Sequence, residues 1–257
     1  MLTVDSISKS FGGLTAVNNC SFTIEAHSIT GLIGPNGAGK TTIFNVIAGA
    51  MKPDTGGVQF QGTDITGQPA HKLFHLGIMR TFQIPQEFFA MTVLENLMVV
   101  PAGQSGEKLF YALLSPGNVA VREKEVRDRA IDVLDFLRLT HVADELAGNL
   151  SGGQKKLLEL GRAMMADPDI VLLDEPGAGV NPTLLGDLAA MIERLNKERD
   201  YTFCIIEHNM DMIARLCDPV IVMVEGAVLM QGDMNTVRAD PRVLDAYLGG
   251  DVHGTPN

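Results

Sequence analysis

Apolar positions along the chain fall into short runs and alternating stretches, separated by glycine, proline and polar residues. Near the start, Leu2-Thr3-Val4 and Ser21-Phe22-Thr23-Ile24 predict strands. Ser28-Ile29-Thr30-Gly31-Leu32-Ile33 predicts a buried strand, being short, apolar and β-branched. Phe11-Gly12-Gly13 predicts a turn carrying an exposed aromatic. Thr42 to Gly49 predicts a helix closed by glycine. Residues 53–67 hold Pro53, Asp54 and several glycines around Val58-Gln59-Phe60, the composition of a hairpin. Pro69–Leu76 predicts a short helix and Ile78–Gln83 a strand. Thr92–Val100 predicts a helix in which Thr92 and Glu95 have the spacing of a capping box.

Residues 101–118 break the pattern. Pro101, Gly103, Gly106, Pro116 and Gly117 punctuate them, which predicts a loop carrying a short helix around Leu109–Leu114. From Val119 to Leu139 apolar residues return at Val126, Ala130, Val133, Leu134 and Leu137, the spacing of a helix, with the charges between Arg122 and Arg129 as its solvated face. Lys155–Met165 predicts another helix. Ile170-Val171-Leu172-Leu173 is fully apolar, as a central parallel strand requires. Helices over Pro182–Glu198 and Met210–Leu216 then alternate with strands over Thr202–Ile206 and Val220–Val224. Such alternation predicts an α/β fold with a mostly parallel sheet. Val228–Met230 completes a terminal hairpin, Pro241–Leu248 forms a short helix, and 250–257 reads as a flexible tail after one domain spanning 1–249.

Composition narrows the function. Hydrophobic residues make up 46% of 257, enough for a sizeable core. A net charge of −11 argues against nucleic acid as a partner and against direct attachment to an anionic membrane surface. Cys20, Cys204 and Cys217 lack metal-ligand spacing and read as buried free thiols of a reducing compartment. The sequence has no secretory signal and no run of eighteen apolar residues, so the expectation is a cytoplasmic protein that serves a membrane, if at all, through a partner chain.

Three stretches carry chemistry. Gly34-Pro35-Asn36-Gly37-Ala38-Gly39-Lys40-Thr41-Thr42 holds G-x-x-x-x-G-K-[ST] between a predicted strand and a predicted helix. Glycines let successive N–H groups curl around a phosphate, Lys40 adds a positive charge, and the Thr41 hydroxyl suits Mg²⁺. Asp174 and Glu175 leave a central strand at the ligand edge of such a sheet. Asp174 suits Mg²⁺ and Glu175 suits a general base; without the loop upstream, a cap or turn carboxylate would be the commoner reading. Leu150-Ser151-Gly152-Gly153-Gln154 opens a further helix with a hydroxyl and two side-chain-free amides. Alone it reads as an ordinary N-cap.

Gly34–Thr42, Gln83, Leu150–Gln154, Ile170–Glu175 and His208, in this order, resemble the ATP-binding cassette family across nearly the whole chain. The resemblance implies a P-loop NTPase core, an antiparallel β subdomain and an α-helical subdomain over about 84–165. It implies a head-to-tail pair of ATPase subunits, with Ser151 and Gly153 facing the partner's γ-phosphate. It also implies that Phe11 stacks on adenine, that Asn36, Gly37, Gly39, Lys40, Thr41 and Thr42 cradle ATP, and that Gln83 contacts Mg²⁺ or the attacking water. His208 would meet the γ-phosphate. Taken alone, Phe11 reads equally as a surface aromatic, Gln83 carries no signal, and His208 reads as a strand-end histidine. Asn181 departs from the aspartate usual in the family.

Arg80-Thr81-Phe82-Gln83, Gly177–Pro182, Ile206–Met210 and Ala246–Gly249 resemble the ATPases of branched-chain amino acid importers. That subgroup implies membrane permease subunits, an extracytoplasmic binding protein and a place on the inner face of the membrane. ATPases for urea or short-amide import and for lipopolysaccharide export have a similar layout, and a soluble, non-transport ATPase is the rival from another class.

Overall fold

A computed structural model describes residues 1–80, 87–101 and 116–249. Two compact units result. One holds Met1–Gln83, Pro168–Ala178 and Leu185–Asn257; the other holds Ile84–Asp167 and Gly179–Leu184.

The first unit contains two sheets. Strand β1 (Leu2–Phe11) lies antiparallel between β2 (Leu14–Ile24) and β4 (Thr55–Phe60), and β5 (Thr63–Asp64) completes the order β2-β1-β4-β5. Both long strands extend beyond the predicted segments. Their register slips between Val4 and Ile7 and again around Lys9, with Ser6 and Asn19 at positive φ. These bulges break the two-residue alternation that a sequence pattern needs. The second sheet has the order β10-β9-β3-β8-β7-β6. It is built from β3 (Ile29–Ile33), β6 (Ile78–Arg80), β7 (Ile170–Asp174), β8 (Thr202–Ile206), β9 (Val220–Val224) and β10 (Ala227–Gly232). All pair in parallel except β10 on β9. Every residue of β3, β7 and β8 is buried, which is why each is dominated by apolar residues, with Thr30, Asp174 and Thr202 as buried polar exceptions.

Helix α1 (Lys40–Ile47) joins the two sheets into one core. Its Ile43, Phe44 and Ile47 are fully buried among Leu2, Ile24 and Phe60 from one sheet and Leu32, Ile206 and Ile221 from the other. The start of that helix is thereby fixed at the carboxyl ends of the parallel strands, where ligands of such sheets bind. Helix α2 (Ala70–His75) precedes β6.

In the second unit, α3 (Val93–Met98) begins with the predicted box: Thr92 Oγ1 accepts from Glu95 N, and Glu95 Oε2 accepts from Thr92 N. Helix α4 runs Pro116–Phe136, so the expected span of 119–139 is corrected at both ends. Proline suits a first helical turn, and Arg138 at φ 58 cannot continue a right-handed helix. Residues 116–118 are therefore helix, not loop. The helix expected near Leu109–Leu114 lies outside the described residues, as do the end of the strand beyond Arg80 and the tail. Helix α5 (Gly152–Ala166) packs closely on its neighbours at Gly161, where a Cβ would sit 2.8 Å from Leu137 and 3.0 Å from Leu97.

Helix α6 (Pro182–Arg199) starts behind Asn181, whose Oδ1 accepts from Leu184 N at 2.9 Å. An N-cap needs an acceptor, and asparagine serves as well as aspartate, so Asn181 has a structural role here. Helices α7 (Met210–Leu216), α8 (Met234–Ala239) and α9 (Pro241–Gly249) complete the chain. Helix α8 was not predicted. It buries only Val237 and so has no apolar period, though Asp233 caps it by accepting from Asn235 N and Thr236 N.

Candidate functional site

Residues 34–39 connect β3 to α1, and two of their glycines are explained by packing. A Cβ on Gly34 (φ 151) would collide with the Met223 carbonyl of β9, and one on Gly39 (φ 93) with the Ala16 carbonyl of β2. Gly37 (φ 80) has open space beside it, so keeping side chains away from a ligand is an argument that applies to Gly37 alone. Helix α1 starts with no side-chain cap and no acidic residue in its first turn. Its leading N–H groups are left for an anion.

Lys40 is buried, and its Nζ donates to the Gly34 and Pro35 carbonyls at 2.8 and 3.0 Å. Burial lowers its pKa; the negative charges of Glu175 and Asp174 act the other way. The loop thus holds its own cation in place with carbonyl oxygens.

The facing wall comes from β7 and β8. Their register pairs Asp174 with Ile206, which sets Glu175 and the Glu207–His208 turn side by side. Glu175 adopts φ 50 and donates its N–H to the Ile206 carbonyl at 2.9 Å. His208 Nε2 lies 3.0 Å from Glu175 Oε1. Asp174 is buried, and Arg80 Nη2 donates to its Oδ2 at 2.7 Å while Arg80 Nη1 donates to Asn45 Oδ1 of α1. Sequence reasoning used Arg80 only as a mark of resemblance. The available signal was an arginine at the end of a strand that leads to the ligand edge.

A cavity of about 390 Å³ lies between these walls. The predicted residues Phe11, Asn36, Gly37, Gly39, Lys40, Thr41, Thr42, Glu175 and His208 all line it, joined by Leu14, Thr15 and Ala16, which were not predicted. Phe11 is 47% exposed, with Lys9 Nζ 5.8 Å from its ring centre, so its free face is open to a flat apolar group. Among the described residues no three His, Cys, Asp or Glu side chains gather to hold a metal ion. Of the residues expected to hold Mg²⁺, Thr41 lines the cavity; Asp174 is not among its lining residues, and its Oδ2 accepts from Arg80.

Gln83 lies outside the described residues. Ser151 and Gly153 stand at the start of α5 in the second unit. Ser151 Oγ accepts from Gln154 N at 3.4 Å, and Gln154 Oε1 accepts from Ser151 N and Ser151 Oγ, both at 2.9 Å. A Cβ on Gly153 would collide with the Leu184 side chain. The ordinary-cap reading of Ser151 therefore describes this conformation.

Residues 17–178 match the family described as ABC transporter. The chain belongs to that family. ATP binding and hydrolysis are the activities of these ATPases, and the chain is an ATPase of this type. Residues 227–253 match a second family, described as branched-chain amino acid ATP-binding cassette transporter. Two relatives are each named "Probable branched-chain amino acid transport ATP-binding protein LivG". The one from Archaeoglobus fulgidus is 43% identical, covering 97% of this chain and 95% of its own. The one from Methanocaldococcus jannaschii is 41% identical, covering 97% of each. Among solved structures, the ADP conformation of an ATP-binding cassette of an ABC transporter superposes with a TM-score of 0.82 at 39% identity, over 97% of this chain and 98% of the other.

Proposed function

We propose that this chain powers an importer of branched-chain amino acids, binding and hydrolysing ATP at the cavity between Gly34–Thr42 and Glu175–His208. The observation that carries the reading is the meeting of Lys40, Thr41, Glu175 and His208 on that one cavity. The cargo follows from the family matched over residues 227–253 and from the names of the relatives.

In this reading Phe11 packs on the adenine ring. The 36–42 backbone and Lys40 bind the β- and γ-phosphates; Thr41, Asp174 and Gln83 would hold Mg²⁺, which when bound would supply positive charge to the phosphoryl oxygens. Glu175 accepts a proton from the attacking water, a contribution of about 10²–10⁴-fold. His208, 3.0 Å from Glu175, orients that carboxylate and faces the γ-phosphate. Fixed charges aimed at the phosphoryl oxygens supply most of the remaining acceleration. Ser151 and Gly153 complete the site of a second ATPase subunit, so two chains act as a dimer. No helix among the described residues is long and apolar enough to cross a membrane. Energy then passes to the membrane through permease subunits, in contact with the segment at Gln83 and with the exposed Phe88 and Phe89, and an extracytoplasmic protein delivers the amino acid.

The test uses the whole transporter isolated from membrane with its permeases. ATP hydrolysis should rise when binding protein loaded with leucine is added. Glu175→Gln should abolish that hydrolysis while binding of a fluorescent ATP analogue persists. Near-normal turnover in the variant would sink the assignment of Glu175, and indifference to leucine, isoleucine and valine alike would sink the cargo.

A further inference from the structure

Glu207 is 5% exposed, and the hydrogen bonds its carboxylate accepts come from backbone N–H groups. Its Oε1 accepts from Gly177 N at 2.6 Å, and its Oε2 accepts from His208 N at 2.9 Å and Asn209 N at 3.2 Å. The last two bonds are local. The first crosses thirty residues of chain to the loop that follows Glu175. Three N–H donors on one buried carboxylate make a strong, charge-assisted set, and the 2.6 Å bond is the shortest of them. Gly177 is shaped to receive it: a Cβ there would stand 2.6 Å from Glu207 Oε1 and 2.6 Å from Leu185 Cδ1.

We infer that Glu207 is the positioning residue that sets the distance between Glu175 and His208. The proposal rests on the catalytic reading of that pair. The two side chains meet at 3.0 Å on the cavity side of their loops. The loops themselves are tied on the buried side by Glu207 and, one residue earlier, by the bond from Glu175 N to the Ile206 carbonyl. Glu175 sits at φ 50, an unfavourable conformation that persists only while its surroundings enforce it. Glu207 supplies that enforcement from both sides: through Gly177 it fixes the turn leaving Glu175, and through His208 N and Asn209 N it fixes the turn leading into α7. Among the described residues its side chain hydrogen-bonds no cavity-lining group other than the His208 backbone, so its effect falls on catalytic geometry and not on nucleotide affinity.

Two substitutions in the full chain test this. Glu207→Gln keeps the shape but has one acceptor oxygen for donors on two sides. Glu207→Asp keeps the charge but is one methylene too short to span both loops. In each folded variant, affinity for a fluorescent ATP analogue should stay within about twofold, while kcat falls about 10- to 100-fold, the cost of a misplacement near 1 Å. A kcat within about twofold of the parent in either variant overturns the proposal. So does a loss of ATP affinity in step with kcat, the mark of a merely structural carboxylate. Glu175→Gln is measured alongside. If it keeps normal turnover, the catalytic pair itself is wrong; if it is inactive while Glu207→Gln turns over normally, only the role of Glu207 fails.

Discussion

Replacing Arg80 with methionine deletes a guanidinium that reaches both Asp174 and Asn45 while keeping much of the side-chain length. The Arg80 and Asp174 side chains are 16% and 5% exposed and meet at 2.7 Å. At an effective dielectric of about 20 the gross attraction is about 6 kcal/mol, most of it offset by the cost of taking both charges out of water. Deleting one partner leaves that cost on the other. Truncating a buried ion pair runs to about 3–5 kcal/mol, and the lost bond to Asn45 adds about 1 kcal/mol. Two features reduce the sum. Among the described residues Arg80 Nε is buried without a hydrogen-bond partner, so its removal returns about 1 kcal/mol or more. Lys40 also acts on the same carboxylates, although its Nζ is tied to the Gly34 and Pro35 carbonyls. The expected net loss is about 3 kcal/mol, or about 6–12 °C in Tm for a chain of this size. Urea and thermal unfolding without nucleotide measure it. Asp174→Asn should cost less, because the amide oxygen still accepts from Arg80. The double variant should be more stable than the sum of the singles predicts, by about 2 kcal/mol. A loss under about 1 kcal/mol in Arg80→Met, or strict additivity in the cycle, would refute a desolvated clamp.

Gly34→Ala should destabilise the chain by about 3 kcal/mol or more and weaken ATP binding at least about tenfold, because its Cβ meets a backbone carbonyl; Gly37→Ala should cost only about 1–2 kcal/mol for its positive φ. Equal effects of the two in thermal melts and ATP titrations would show that the packing argument is wrong. Burial pushes the Cys20 and Cys217 thiols up to about 12 and the Cys204 thiol higher still. At pH 8 the native chain should therefore release almost no colour from a disulfide reagent, and all three thiols should react after denaturation; fast labelling of the native chain would contradict the buried placement.

The order of strands and helices was legible wherever the chain was buried evenly. β8, α7 and β9 match their predicted bounds to the residue, because each is a short apolar or periodic block between polar turns. The failures share a cause. β1 and β2 are half exposed and bulged, so their apolar positions lose register with any fixed period. Helix α8 has one buried side chain and is announced by a cap, not by a stripe. At the cavity, the lining residues of the glycine-rich loop could be read by type and spacing. Arg80 and Glu207 could not. Their partners lie 94 and 30 residues away in sequence; the strand-end position of Arg80 points to the ligand edge but names no partner, and nothing local marks Glu207 as a carboxylate that will be buried.

The helix starts at Gly39–Thr41 and Ser151–Gly153 also look alike in sequence, each with glycine near a hydroxyl residue, and differ in structure. The first turn of α1 has no side-chain cap, and its lysine is turned back on loop carbonyls, a conformation that a phosphate can enter by replacing those carbonyls at Nζ. The start of α5 is closed by its own side chains. Ser151 has one hydroxyl proton and gives it to Gln154 Oε1 at 2.9 Å, while the same Gln154 oxygen accepts from Ser151 N. For that hydroxyl to donate to a phosphate it must first give up this bond, worth about 0.5–1.5 kcal/mol net. An anion at α1 therefore replaces carbonyls around a cation already in place, whereas one at α5 must compete with a completed capping box. Under the proposed two-chain reading, the asymmetry gives a physical reason why ATP would bind at Lys40 first and why the start of α5 would join only when a second chain presents a phosphate already held elsewhere.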